Sequence, residues 1–321
     1  MARKKYKLKP DVYLYLIVII VIIIMCSKGI NAYKKHKYEQ TTEYKLISAG
    51  YSKKEINVLN KYYSDNELIK LSKKKYDKNL IELISNKNYF SKYHDDYLSY
   101  MDLNPRLTVD EVINNVNLHL NYSFYEKTFE ADLSKNNLTL VNKYYHLSED
   151  YEPDDLAVIS TKYSWGTPGS QKIRNEVLEA FIKMHEDAEI NDIYLMVNRS
   201  YKSYSDLKKQ FDNYVNIHGE ESADKDLIRP GYNERQLGLT LDILSLKDPT
   251  QNTFKDSDTY RWLSENAYKY GFILRYPEGK EKITGTEFIS WIYRYVGVEA
   301  ATIIHNDNIT FEEYYTYYID K

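Results

Sequence analysis

Residues 262–297 read WLSENAYKYGFILRYPEGKEKITGTEFISWIYRYVG, and this stretch decides the fold. Residues 260–270 have helical spacing and stop at Gly271, the residue type that takes the left-handed conformation closing a helix. Residues 272–276 and 293–296 then read as strands. Working outward, residues 172–188 place Ile173, Val177, Phe181, Met184 and Ala188 on one helical stripe. Residues 193–197 read as a short buried strand. Residues 205–215 return to helix, with Leu207, Phe211, Tyr214 and Val215 on one face. Helices and strands that alternate with short links predict an α+β domain, expected over residues 108–321. Residues 307–318, rich in tyrosine and acids, are expected to form a final helix on the surface.

Upstream, three helix-start signatures recur: Ser52-x-x-Glu55, Ser64-x-x-Glu67 and Thr108-x-x-Glu111, each a capping box. Ile56, Leu59, Leu68, Ile69, Leu80, Ile81 and Ile84 supply short apolar faces between them. Residues 50–107 are therefore expected to be a separate helical region, with spacer, wall-binding module and lid all open as its role.

At the N-terminus, Arg3, Lys4, Lys5, Lys7 and Lys9 precede an uncharged run over residues 12–27, apolar on every face from Leu16 to Met25, as lipid requires. Its sixteen residues span roughly 24 Å as helix, against ~30 Å of hydrocarbon. Tyr13, Tyr15 and the flanking lysines extend it at the interfaces. A cleaved signal peptide is the rival reading, since its apolar region is typically ~7–15 residues, but Ile30 and Ala32 give only half of the cleavage pattern. A lipid-modified Cys26 is disfavoured by the bulky Met25 before it. A buried core helix is the third reading. The expected layout is a basic cytoplasmic tail (1–11), a transmembrane anchor (12–27), a linker (28–49), the helical region (50–107) and the domain (108–321). Lys28, Lys34, Lys35 and Lys37 follow the run, so charge alone orients it weakly.

The 321 residues carry a net charge of −3, with 43% hydrophobic and 28% charged residues. That is ordinary globular material, and nothing in it suggests nucleic acid as a partner. The 35 tyrosines reflect codon bias more readily than a sugar-binding surface. Cys26 is the single cysteine, so the chain has no internal disulfide and the body of the protein no thiol nucleophile.

Residues 230–243 (PGYNERQLGLTLDI) and 262–297 together resemble the VanY-type zinc D,D-carboxypeptidases, which remove the terminal D-alanine of peptidoglycan stem peptides. The resemblance runs from about Leu140 to Gly297 and is most specific over residues 262–285. It implies a hedgehog-like peptidase fold: a small antiparallel sheet flanked by helices, here preceded by the helical region and the transmembrane helix. Such a site needs three metal ligands and an open position, a carboxylate base, and a cation for the oxyanion. The family supplies them in the patterns S-E-H-Q-T-G-x-x-x-D, E-P-W-H and S-G-Y-R-S-Y-x-x-Q.

Asn233-Glu234-Arg235-Gln236-Leu237-Gly238 aligns with the first pattern, and Asp242 falls on the metal-binding Asp. Arg235 stands at the first histidine. A guanidinium has no lone pair to give a metal, and its charge opposes a divalent ion at about 4 Å by roughly 8 kcal/mol at an effective dielectric of 20. Ile289 stands at the general base and Ile292 at the second histidine. Glu287 lies two residues before that base position, with no bound water to deprotonate. Lys202 replaces the catalytic arginine, keeping charge but losing the bidentate fork; Leu207 replaces the glutamine, and Arg199 falls at the family's serine. None of His36, His94, His119, His146, His185, His218 and His305 falls at a ligand position; His305 is expected on the surface. An Arg235–Asp242 ion pair beside Ile289 and Ile292 is the expected replacement for the metal, with a solvated Arg235 as the alternative.

The resemblance so read implies a membrane-anchored envelope protein with its domain outside the cell, a pseudoenzyme without a cofactor. It would bind peptidoglycan stem peptide or an envelope protein through Tyr201, Lys202, Gln236, Trp291 and Tyr293. The alternative is an active zinc carboxypeptidase with relocated ligands, trimming peptidoglycan peptides.

Overall fold

The computed structural model describes residues 10–247 and 249–320; the basic side chains at positions 3–9 of the expected tail lie outside them. The chain divides into two compact units, one comprising residues up to His94 with Arg106–Ile113, the other Asp95–Pro105 with Asn114 onward.

The first unit is helical. Helix α1 (Pro10–Glu39) carries the apolar run, and all of residues 12–25 are exposed. Among the described residues none buries this surface, which speaks against the buried core helix. The residues expected as a linker are helical too, through the end of α1 and then α2 (Thr42–Ala49). Three short helices follow: α3 (Lys53–Leu59), α4 (Asp65–Leu71) and α5 (Lys78–Ser85). The carboxylates of Glu55, Glu67 and Glu111 accept from the backbone N–H of Ser52, Ser64 and Thr108 at 2.7, 2.8 and 2.7 Å. Each capping box thus satisfies an N-terminal donor that a short helix cannot satisfy itself. Leu46, Ile56, Leu59, Leu68, Leu80, Leu83 and Ile84 are buried. Helices α6 (His94–Leu103) and α7 (Val109–Asn117) straddle the division between the units.

In the second unit two minor pairings come first: β1 (Phe129–Glu130) parallel to β2 (Tyr145–His146), and β3 (Leu156–Val158) antiparallel to β4 (Lys172–Arg174). The remaining elements are α8 (Asn175–Ile190), β5 (Leu195–Arg199), α9 (Tyr204–His218), α10 (Glu220–Asp226), β6 (Thr240–Ser245), α11 (Asp258–Asn266), β7 (Phe272–Tyr276), α12 (Glu281–Thr284), β8 (Ile289–Tyr295), α13 (Val298–Asp307) and α14 (Phe311–Tyr314). Strands β5, β6, β8 and β7 form one antiparallel sheet in that order. The expected α+β architecture is therefore present, a small antiparallel sheet among helices.

Side-chain alternation divides the sheet into two faces. Leu241, Ile243, Phe272, Tyr293 and Tyr295 join the α8 stripe of Val177, Phe181, Met184 and Ala188 in the main core. Asp242, Ile292 and Arg294 alternate with them and face the other way. Two expectations are corrected. The helix expected from residue 172 begins at Asn175, because Ile173 is held in β4 opposite Ala157 and the Arg174 N–H donates to Gly238 O. Residues 307–318 are not a surface helix. Phe311, Tyr314 and Tyr315 are buried in a second core with Ile273, Val296 and Ala301.

Candidate functional site

The site is organised by a single helical turn, Glu234–Leu237. Asn233 caps it by accepting from the Arg235 N–H at 3.1 Å, and Gly238 ends it at φ 65°. A side chain at Gly238 would lie 3.1 Å from both Arg174 Cγ and Leu156 Cδ2, so the tight turn into β6 needs glycine on steric as well as conformational grounds. The turn folds residue 235 back over residue 242. Arg235 Nη2 donates to Asp242 Oδ1, in an ion pair whose side chains are 13% and 1% exposed.

Asp242 lies opposite Ile292 in β8 and opposite Arg199 in β5. Burial pushes its carboxyl up from the ordinary range, against the pull of Arg235 and, more weakly, of Arg199. The second carboxylate oxygen of Asp242 and Nη1 of Arg235 are buried with no hydrogen-bond partner. Beside Arg235 opens a cleft of about 340 Å³ lined by Arg199, Lys202, Arg235, Asp226, Glu234, Ile289 and Ile292 among others. The Lys202 N–H donates to Arg235 O at 3.3 Å, which ties the two cation-bearing segments together.

The structure thus brings Lys202, Arg235, Asp242, Ile289 and Ile292 into one place. It does not bring all of the expected peptide contacts there. Tyr293 and Trp291 alternate with Ile292 and belong to the core side of the sheet. Gln236 is fully buried, its side-chain amide donating to Ser148 O and Tyr151 O at 2.9 and 3.1 Å, which holds a loop in place. Tyr201 is half-buried and lies outside the cleft lining, its hydroxyl buried without a partner. Glu287 is exposed and precedes β8. His305 is exposed, stacked on Tyr268.

Beneath the cleft lies a charge network with no local sequence signature. Glu234 Oε1 is 2.9 Å from both Arg275 Nε and Arg294 Nη1. Arg275 reaches Glu312 at 2.6 Å, and Arg294 donates to Asn137 O and Thr139 O at 3.0 and 2.9 Å. Arg275 and Arg294 are 1% and 0% exposed. Such charges are tolerated in an interior only because each is answered.

The donors at the cleft do not fit a catalytic zinc. Asp242 is the one metal-competent side chain at the three expected ligand positions, and its neighbour there is a cation. Among the described residues no group of three or more His, Cys, Asp or Glu side chains is placed to hold a metal ion.

Comparison with known proteins places this frame. The family model described as "VanY: D-alanyl-D-alanine carboxypeptidase" matches residues 170–298. A putative carboxypeptidase, YodJ of Bacillus subtilis (strain 168), is 39% identical over 184 residues, covering 56% of this chain and 67% of that protein. A D-alanyl-D-alanine carboxypeptidase of Enterococcus faecium is 30% identical over 239 residues, covering 72% of this chain and 73% of that protein. Among solved structures, the LdcB LD-carboxypeptidase, described with the molecular basis of peptidoglycan recognition, is similar at a TM-score of 0.56 and 37% identity, over 59% of this chain and 89% of that one.

Proposed function

The chain belongs to the VanY family of D-alanyl-D-alanine carboxypeptidases, and we propose that it uses the family's domain to bind rather than to cleave. The observation that carries this reading is the guanidinium of Arg235 seated on Asp242. Hydrolysis of a peptide bond at such a site needs a polarised water, a base and a stabilised oxyanion. An arginine at the metal position supplies no Lewis acid, and Ile289 at the base position accepts no proton.

The cleft sets three cations, Arg199, Lys202 and Arg235, against two carboxylates, Asp226 and Glu234, the second already answered by Arg275 and Arg294. That suits the free carboxylate at the end of a peptide, and the family relation makes a peptidoglycan stem peptide the ligand of choice. Lys202 and Arg235 are its contacts. Helix α1, 30 residues long and uncovered, serves as an anchor holding the domain outside the membrane.

The test incubates the full-length protein in detergent with zinc and a pentapeptide ending in D-Ala-D-Ala. Saturable binding without release of D-alanine is expected, and amidation of the peptide C-terminus should abolish the binding. Release of D-alanine that a chelator stops would establish the active-enzyme alternative instead. Protease added to intact cells should remove the domain and leave an N-terminal fragment in the membrane; full protection of the domain would overturn the proposed orientation.

A further inference from the structure

Charge is shared unequally between the two units. Beyond the apolar run, the first unit comprises residues 28–94 and 106–113, with sixteen basic residues against nine acidic ones, a net charge of +7. Residues 95–105 and 114–321 carry twenty-three basic residues against thirty-seven acidic ones, a net charge of −14. The whole-chain value of −3 conceals this asymmetry, and an excess of one sign in one unit fits a partner of the other sign.

The fold of the first unit uses its acids and leaves its cations at the surface. The carboxylates of Glu55, Glu67 and Glu111 close the three capping boxes, and Asp77 accepts from the Leu80 N–H at 3.0 Å to cap α5. All sixteen basic residues are exposed. Lys35 pairs with Glu39 at 3.9 Å and Lys53 with Glu43 at 3.4 Å, in surface pairs of the kind that contribute little. Positive charge is densest around the link from α4 to α5, residues 70–78, where Lys70, Lys73, Lys74, Lys75 and Lys78 stand beside the capping Asp77. Tyr76 within that link is 39% exposed, and Tyr33, Tyr38 and Tyr62 of the same unit are 68%, 40% and 39% exposed. Lysine mixed with exposed tyrosine suits the boundary between lipid and water.

We propose that the first unit lies on the membrane surface, with its lysines against anionic phospholipid headgroups. The tether selects the partner. Lys28 follows the apolar run directly, and the twelve helical residues from Lys28 to Glu39 rise roughly 18 Å, which keeps the unit at high effective concentration beside the headgroups. The attraction of a lysine to an anionic surface decays over a Debye length, ~8 Å at physiological salt, so it acts on residues held close. The proposal rests on α1 as an anchor and not on what the cleft binds.

The test reconstitutes the full-length protein in nanodiscs of phosphatidylcholine, with or without about one-third phosphatidylglycerol, and follows lysine acetylation by an uncharged reagent with mass spectrometry. With the anionic lipid, Lys73, Lys74 and Lys75 should react about fivefold more slowly, the worth of one lysine near such a surface. Salt at about 1 M, where screening shortens to ~3 Å, should restore their rates. Lys209 and Lys255, exposed on the second unit, should not change. The triple variant Lys73→Gln, Lys74→Gln and Lys75→Gln, at exposed positions, should melt as the parent does yet lose most of the protection of Lys70 and Lys78. Equal rates in both bilayers, or parental protection in the triple variant, overturn the proposal. So does protection by soluble poly(glycerol phosphate) that phosphatidylglycerol does not give, which assigns the patch to an anionic polymer instead. Failure to enter either bilayer overturns the anchor together with the proposal.

Discussion

Replacing Arg235 by Met removes the charge that answers Asp242 while keeping the length of the side chain. Asp242 is 1% exposed, so water does not take over, and breaking a buried pair from one side typically costs about 3–5 kcal/mol. The carboxyl can limit that cost by taking up a proton. Neutralising an aspartate whose unfolded pKa is about 3.9 requires roughly 1.36 kcal/mol per pH unit, hence at most about 4 kcal/mol at pH 7 and about 1.5 kcal/mol at pH 5. The direction follows from proton counts. Burial already lifts the Asp242 carboxyl, and the mutation deletes its main lowering influence. The folded variant therefore holds a proton that the unfolded chain has lost, and its stability falls as pH rises from the unfolded pKa toward the folded one. The parent chain, whose Asp242 carboxyl is already raised with Arg235 in place, should show a slope of the same sign over a narrower pH range.

Trp165, Trp262 and Trp291 all pack against the main core, so tryptophan fluorescence during urea unfolding reports on the right unit. Arg235→Met should lose about 4 kcal/mol at pH 7, roughly 8–16 °C in Tm for a unit of this size, and recover most of it at pH 5. Equal stability of variant and parent at both pH values would show that Arg235 does not answer Asp242, and the replacement of the metal by a guanidinium would fall with it.

Three further outcomes are expected. The triple change Arg235→His, Ile292→His and Ile289→Glu restores two ligands and a base around Asp242, and calorimetry should then detect zinc binding at one equivalent where the parent chain shows none. Glu234→Gln leaves Arg275 and Arg294 short of their shared carboxylate; because arginine cannot shed its proton, the loss of about 3–5 kcal/mol should be the same at pH 5 and pH 8 in urea unfolding, unlike that of Arg235→Met. Gly238→Ala forces an L side chain into φ 65° against Arg174 and Leu156 and should lower stability by roughly 1–2 kcal/mol in thermal melts.

The legible parts of the molecule are those whose partners are close in sequence. The three capping boxes span four residues each, and the core stripe of α8 repeats every third or fourth position, so local spacing contains the information. The Arg235–Asp242 contact lies within one eight-residue segment with a glycine turn at its middle. The family segment taken as a whole points Tyr293 and Trp291 to the cleft. Strand alternation sends 291 and 293 to one face and 292 to the other, and a single position decides between cleft and core. The network of Glu234, Arg275, Arg294 and Glu312 joins four separate segments, and no local pattern marks a buried arginine. The C-terminal segment misled through composition: tyrosines and acids suggest a wet surface, yet Phe311, Tyr314 and Tyr315 fill a core and Glu312 turns inward to Arg275.

The same turn, residues 234–237, feeds both electrostatic structures, Glu234 into the sealed network and Arg235 into the pair that borders the cleft. Their roles should therefore separate under mutation. If the Arg235–Asp242 pair acts as a cross-link between the turn and β6, an apolar pair of similar volume can replace it. Buried ion pairs exchanged for packed hydrophobic residues are commonly neutral or more stable by about 1–4 kcal/mol, since two charges no longer need to be desolvated. The double variant Arg235→Leu with Asp242→Leu should then unfold at or above the parent's urea midpoint and lose the pH dependence of the single variant. It also deletes one of the three cations of the cleft and the guanidinium edge left without a partner. Binding of a carboxylate-terminated peptide should fall by at least about tenfold, the worth of one charge-assisted contact. A stable double variant that binds as well as the parent would place the peptide elsewhere on the domain. One that unfolds outright would mean that the pair carries geometry an apolar contact cannot reproduce.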